Sequence, residues 1–298
     1  MTELLNIAIP LFAVSSMAAV GFRYTFRQIA EPLRSLRGVI LVLFANFVLV
    51  PMLAFLIVRL FSLERPLAIG LTLVALAAGA PFAVKLTQIS GGNPAFSAGI
   101  LVILLIVNIA YMPIVVPWLE PGIAVNTRAI ARPLLLMMLL PLGIALLLEN
   151  LWPRLGERIE SGLSTLANIF LIAVVALTFV NYLSASLSAF AMRSILAALL
   201  LLLGAFVIGY AFGIFERSTR NVVGLNTAQR NYAAAMIVAT ETFANPDVLV
   251  MVVVGSVIST AILFPAVWLL KKYLPHPTLQ SIPKSIPIEI PRRKKRAS

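Results

Sequence analysis

Apolar runs long enough to cross a bilayer recur along this chain, separated by short polar or basic stretches. About twenty consecutive apolar residues, coiled as a helix, span the roughly 30 Å of a hydrocarbon core. On that measure nine spans are expected, at about 4–22, 38–60, 67–86, 94–118, 130–149, 164–184, 193–215, 220–241 and 247–270. Only helices or closed barrels satisfy their own backbone groups in lipid, so the expected class is all-α and polytopic. No soluble domain of useful size fits between the runs.

Two spans break their own pattern. The third reads LTLVALAAGAPFAVKLTQISGGN, and Gly79-Ala80-Pro81 interrupts it, because Pro81 lacks a backbone donor and disfavours helix at the residue before it. Lys85 follows. The eighth reads GLNTAQRNYAAAMIVAT, with Asn226, Thr227, Gln229, Arg230 and Asn231 separated only by Ala228. Arg230 lies roughly ten residues from either end of that span, about 15 Å of helix each way, too deep to snorkel easily. An arginine at such depth is a functional feature by default. Pro81 taken alone is more often a packing kink than a site, and Lys85 reads equally as a snorkelling cation at the span end. Asn226 and Asn231 could also be glue between helices.

Position makes the two breaks a pair. Spans 1–4 (about 4–118) and spans 6–9 (about 164–270) can be set as two four-helix repeats of opposite orientation around span 5. The third and eighth spans are then counterparts. Interrupted segments at matching places in inverted halves point to a secondary transporter's binding site. Each is followed by an Asn-Pro turn that opens the next span, Asn93-Pro94 and Asn245-Pro246.

Composition agrees: 61% of residues are hydrophobic, 11% are charged and the mean hydropathy is +1.02. The chain has no cysteine and one histidine, His276, which excludes thiolate metal sites and leaves little for histidine chemistry. The acids near spans, Glu149, Glu241 and Asp247, fall at span ends. No metal site, no cofactor and no catalytic residue is expected. Glu3 stands where a signal peptide would be basic, so the first apolar run reads as a retained span.

The net charge of +12 is distributed unevenly. With the N-terminus outside, the inner face collects Arg23, Arg27, Arg34, Arg37, Arg154, Arg158, Arg217, Arg220 and the basic C-terminal residues from Lys271 to Arg296. The outer face holds Arg59, Arg65, Arg128, Arg132 and Arg193. Positive loops stay inside, which predicts N-out, C-in. The chain divides into a transmembrane domain over 1–273 and a disordered basic tail over 274–298. That tail suits anionic lipid and not nucleic acid.

At these motifs the sequence resembles the bile acid:sodium symporter superfamily. The similarity is carried by LFANFVLVPMLAFLIVRLF, ERPLAIGLTLVALAAGAPFA, GGNPAFSAG and NTAQRNYAAAMIVATETF, in the family's order. It implies inverted repeats, a panel and a core, and two broken helices crossing in a transporter that moves small organic anions by alternating access. It places Asn46 at a sodium-ligating glutamine position, Ser97 at a serine ligand and Asn231 at the crossing-helix asparagine. It also exposes departures. The family's acidic ligand falls on Asn226, a glutamine ligand on Arg230 and a threonine ligand on Leu101. The Pro-Gly-Gly stretch of the third span is missing, so Lys85 is only the nearest counterpart there.

The expected function is a secondary transporter of a small organic anion in a bacterial inner membrane, and not an enzyme. A non-transporting receptor or scaffold and, further off, a membrane-embedded enzyme are the alternatives. The candidate binding residues are Asn46, Lys85, Ser97, Asn226, Thr227, Gln229, Arg230 and Asn231, with Gly79 and Pro81 making the break. The departures argue against sodium coupling and leave proton coupling through Lys85, or uncoupled movement.

Overall fold

A computed structural model describes residues 2–118, 127–182, 189–213 and 217–273. The tail expected at 274–298 and the last residues of the sixth and seventh expected spans lie outside them. Among the described residues every regular element is helical.

Helix α1 is Thr2–Arg23. A short capped turn at Phe26–Ile29 and a 3-10 turn at Glu31–Arg34 lead to α2, Leu36–Leu60. Helix α3 is split into α3a, Arg65–Leu76, and α3b, Phe82–Ile89. Next come α4, Pro94–Val115, and α5, which runs from Thr127 to Leu151 with a π-turn at Leu135–Leu139. Then follow α6, Pro153–Tyr182, and α7, Ala189–Phe212. Helix α8 is split into α8a, Arg217–Ala228, and α8b, Tyr232–Thr242, and α9 is Pro246–Tyr273.

Six of these segments are long and apolar enough to cross a membrane: those in α1, α2, α4, α5, α7 and α9. Their outward faces carry large apolar side chains such as Ile40, Met52, Leu56, Leu203 and Val207. Spread over a water-soluble protein these would be an aggregation hazard, whereas lipid solvates them without penalty. The chain is an integral, multi-pass membrane protein.

Helix α6 begins at Pro153, ahead of the apolar run expected from about 164, and so draws Glu160 into its first half. The cap motifs behave as the sequence implies. Asn93 Oδ1 accepts from the backbone N–H groups of Ala95 and Phe96, and Asn245 Oδ1 from that of Asp247, each immediately before a proline at the first helical turn.

Prolines inside apolar helices explain a feature the span pattern missed. At Ala45–Leu49 helix α2 opens into a π-turn, with the Val50 N–H bonding to the Ala45 carbonyl. Pro51 cannot donate to the Phe47 carbonyl, and Tyr111 fills the vacancy by donating its hydroxyl at 2.7 Å. Helix α5 repeats the device, with its π-turn just before Pro141. Such turns re-aim the residues within them.

Packing gathers α1 along α6 and the second half of α5. Helices α2, α3, α4, α7, α8 and α9 pack on one another, and the first half of α5 touches α4 and α8b. The two broken helices sit inside this second group.

Candidate functional site

The break in α3 is made locally. Helix α3a stops at Leu76, Gly79 adopts a φ of 84°, and Pro81 precedes the restart at Phe82. That φ is strained for residues with a Cβ, and a Cβ on Gly79 would also lie 2.9 Å from the Leu105 backbone nitrogen of α4. Gly79 and Pro81 both lie in the interruption. The second break, over Gln229 to Asn231, contains neither glycine nor proline, and tertiary bonds hold it open.

Those bonds come from the first break. The Asn231 backbone N–H donates to the Ala77 carbonyl at 2.8 Å, and its Nδ2 donates to the Gly79 carbonyl at 3.0 Å. Its Oδ1 caps α8b by accepting from the Ala234 N–H. One asparagine thus joins both interruptions and starts the second half-helix. Its Nδ2 also approaches Met138 Sδ at 3.3 Å, within the π-turn of α5.

Arg230 is 2% exposed and is the sole charged side chain among the buried described residues. Its guanidinium is surrounded by oxygen. Nε donates to the Val74 carbonyl at 3.2 Å and Nη2 to the Ala75 carbonyl. Nη1 donates to Asn46 Oδ1 at 2.7 Å and to the Thr227 carbonyl at 3.2 Å. Val74 and Ala75 lie in the last turn of α3a, and Thr227 in the last turn of α8a. Carbonyls at a helix end run short of backbone donors, though that of Val74 also accepts from the capping Ala77 N–H at 3.2 Å, and they carry the negative end of the helix dipole. Two such ends converge on one cation.

Asn46 completes the arrangement from the π-turn of α2. Its Nδ2 donates to the Val42 carbonyl at 3.0 Å and to Thr227 Oγ1 at 3.1 Å, which leaves Oδ1 to face the guanidinium. Asn226 belongs to a neighbouring cluster, where its Nδ2 donates to Ser97 Oγ at 2.7 Å. Thr87 also donates to Ser97 Oγ, at 3.1 Å. Gln229 turns the other way and accepts from Ser259 Oγ at 2.9 Å.

Lys85 stands apart from Arg230. It is half-buried and lines a cavity with Ser16, Arg23, Tyr24, Glu160 and Asn168. Arg23 pairs there with Glu160 at 2.9 Å and donates to Gln88 Oε1 at 3.3 Å. An acid from just ahead of the sixth expected span therefore shares Lys85's surroundings. Burial raises the Tyr24 hydroxyl pKa from its usual value, against the opposing pull of Arg23. A second cavity is lined by Ile9, Arg230, Asn231, Tyr232, Met236 and Ser256, and the two cavities share Phe12, Pro81, Phe82 and Leu171.

The residues missed by sequence reasoning are Thr87, Ser259 and Tyr111, single polar groups in apolar helices, together with Val74 and Ala75, which act only through their backbones.

The family described as Sodium Bile acid symporter family matches residues 10–189, more than half of the chain. The chain belongs to the sodium bile acid symporter family. That match stops before the Asn226–Asn231 segment, so the site's second half is carried by the structure and not by the family match. A relative from rice, Oryza sativa subsp. japonica, named Probable sodium/metabolite cotransporter BASS2, chloroplastic, is 28% identical over 238 residues. The alignment covers 78% of this chain and 57% of that relative, so the chain spans a little over half of its length.

Proposed function

We propose that this protein moves a small organic anion across a bacterial inner membrane by alternating access, with the substrate held where the two broken helices meet. The observation that carries the reading is the paired arrangement of half-helix ends. The amino ends of α3b and α8b, at Phe82 and at Tyr232-Ala233, both line the cavity beside Arg230. Helix amino ends carry partial positive charge, which suits an anionic group. Discontinuous helices in transporters present such ends to substrate anions near mid-membrane.

The shared residues Phe12, Pro81, Phe82 and Leu171 connect this cavity to the one containing Lys85. An anion would pass between an apolar chamber with one fixed cation and a polar vestibule holding Lys85 and Arg23. The topology that accompanies this reading has nine spans, counting the two broken ones and α6. It is N-out and C-in, with inverted repeats over about 4–118 and 164–270.

The test is uptake by purified protein in proteoliposomes, using a panel of labelled carboxylates and sulfonates. Accumulation or exchange of at least one anion above empty liposomes is expected. Ligand-dependent thermal stabilisation with no uptake of any bound anion would instead favour a receptor.

A further inference from the structure

We propose that the oxygen cage around Arg230 is a monovalent-cation site whose cation is the chain's own guanidinium, and that a free cation is therefore excluded from it. The cage consists of Asn46 Oδ1 and the carbonyls of Val74, Ala75 and Thr227. These are hard, uncharged oxygen donors, the kind that hold alkali and alkaline-earth cations. Three of them are last-turn carbonyls of two different half-helices, and half-helix carboxyl ends are where transporters commonly place sodium. The site demands positive charge, and four guanidinium donor contacts supply it.

Sodium does not fit beside it. Arg230 offers donors and no lone pair, and no acid stands among the buried described residues to balance a second cation. The adjacent cluster is equally closed. Ser97 Oγ already accepts from both Thr87 and Asn226, which occupies its two lone pairs. Where the family name specifies sodium, this chain carries a tethered substitute. The inference deepens the transport reading, since a built-in cation removes the need for a coupling one, but the binding assay stands whether or not an anion is carried.

The experiment is thermal unfolding of detergent-purified protein in sodium chloride against choline chloride at equal ionic strength. Wild type should show the same apparent Tm in both. Arg230→Gln empties the cage of its cation and adds an amide oxygen, so this variant should gain stability in sodium, by about 3 °C or more. Arg230→Lys keeps a tethered charge and should remain indifferent to sodium. Sodium protection of wild type would overturn the proposal, as would a folded Arg230→Gln variant with no sodium response. If Arg230→Gln folds in neither salt, the Arg230→Lys variant decides: sodium indifference supports the proposal and sodium protection overturns it. In proteoliposomes, Arg230→Gln uptake should become sodium-dependent while wild-type uptake proceeds in choline. Absence of uptake in every protein would sink the transport reading and leave the thermal result to stand by itself.

Discussion

Nη1 of Arg230 lies 2.7 Å from Oδ1 of Asn46, a residue 184 positions earlier in the chain. The bond ties the π-turn of α2 to the break of α8. Asn46→Ala removes the acceptor and leaves a buried N–H unpaired. Hydrogen bonds to charged groups are worth about 1.5–3 kcal/mol, so the apparent Tm should fall by several degrees. Asn46→Asp keeps the acceptor and neutralises the arginine, so it should retain or raise Tm while lowering anion uptake. Equal uptake by Asn46→Asp and wild type would show that the charge does not act on the substrate.

Arg230→Ala should abolish uptake in sodium-free medium while the protein still inserts and purifies. The truncation takes a donor from the Val74 carbonyl, which keeps only the Ala77 N–H, strips the guanidinium from the Ala75 carbonyl and removes the fixed charge at one stroke. Normal uptake by this variant would reduce Arg230 to a packing element.

Gly79→Val introduces a β-branched side chain at a φ of 84°, against the Leu105 backbone. Strain of this kind costs on the order of 1–3 kcal/mol, so thermal unfolding should begin several degrees lower. An unchanged Tm would mean that the break relaxes without resistance.

Lys85→Ala is expected to raise the KM for the anion by about tenfold, as loss of one charged contact worth roughly 1.4 kcal/mol implies. The apparent Tm should hold within a degree or two, because the side chain is half-buried and sits in an open cavity. A tenfold KM change in Glu160→Gln as well would show that the vestibule acts as one charged network.

A reporter that folds only in an oxidising exterior, fused at the C-terminus, should remain inactive if the basic face is cytoplasmic. Strong activity would reverse the assigned orientation and the side to which Lys85 opens.

Much of the architecture was legible because lipid imposes length. Helix starts at Pro94 and Pro246 follow directly from asparagine caps, and the α3 break from Gly79 and Pro81. The break in α8 could be suspected from its polar cluster but not located, since nothing in Gln229-Arg230-Asn231 forbids helix. It exists because the Ala77 and Gly79 carbonyls, freed elsewhere, accept from Asn231. The guanidinium's partners were hidden for a related reason. Val74 and Ala75 display only apolar side chains, and their role belongs to backbone oxygens exposed by a helix end. The π-turn at Asn46 had a signal in Pro51, which marks a vacated carbonyl. Glu160's place beside Lys85 depends on how far α6 extends beyond its apolar run, which hydropathy does not report.

Asn231 works as a rivet. With Arg230 it fastens α3a, the break that follows it, α8a and α8b through buried bonds, so these cannot slide past one another without breaking several at once. In the alternating-access motion proposed above they would travel as a single block. Helix α1 reaches that block through the exposed Arg23–Gln88 bond, at 3.3 Å. In that proposed motion this exposed bond would serve as a latch, easily released and remade, at the seam where one part of the protein travels against the other.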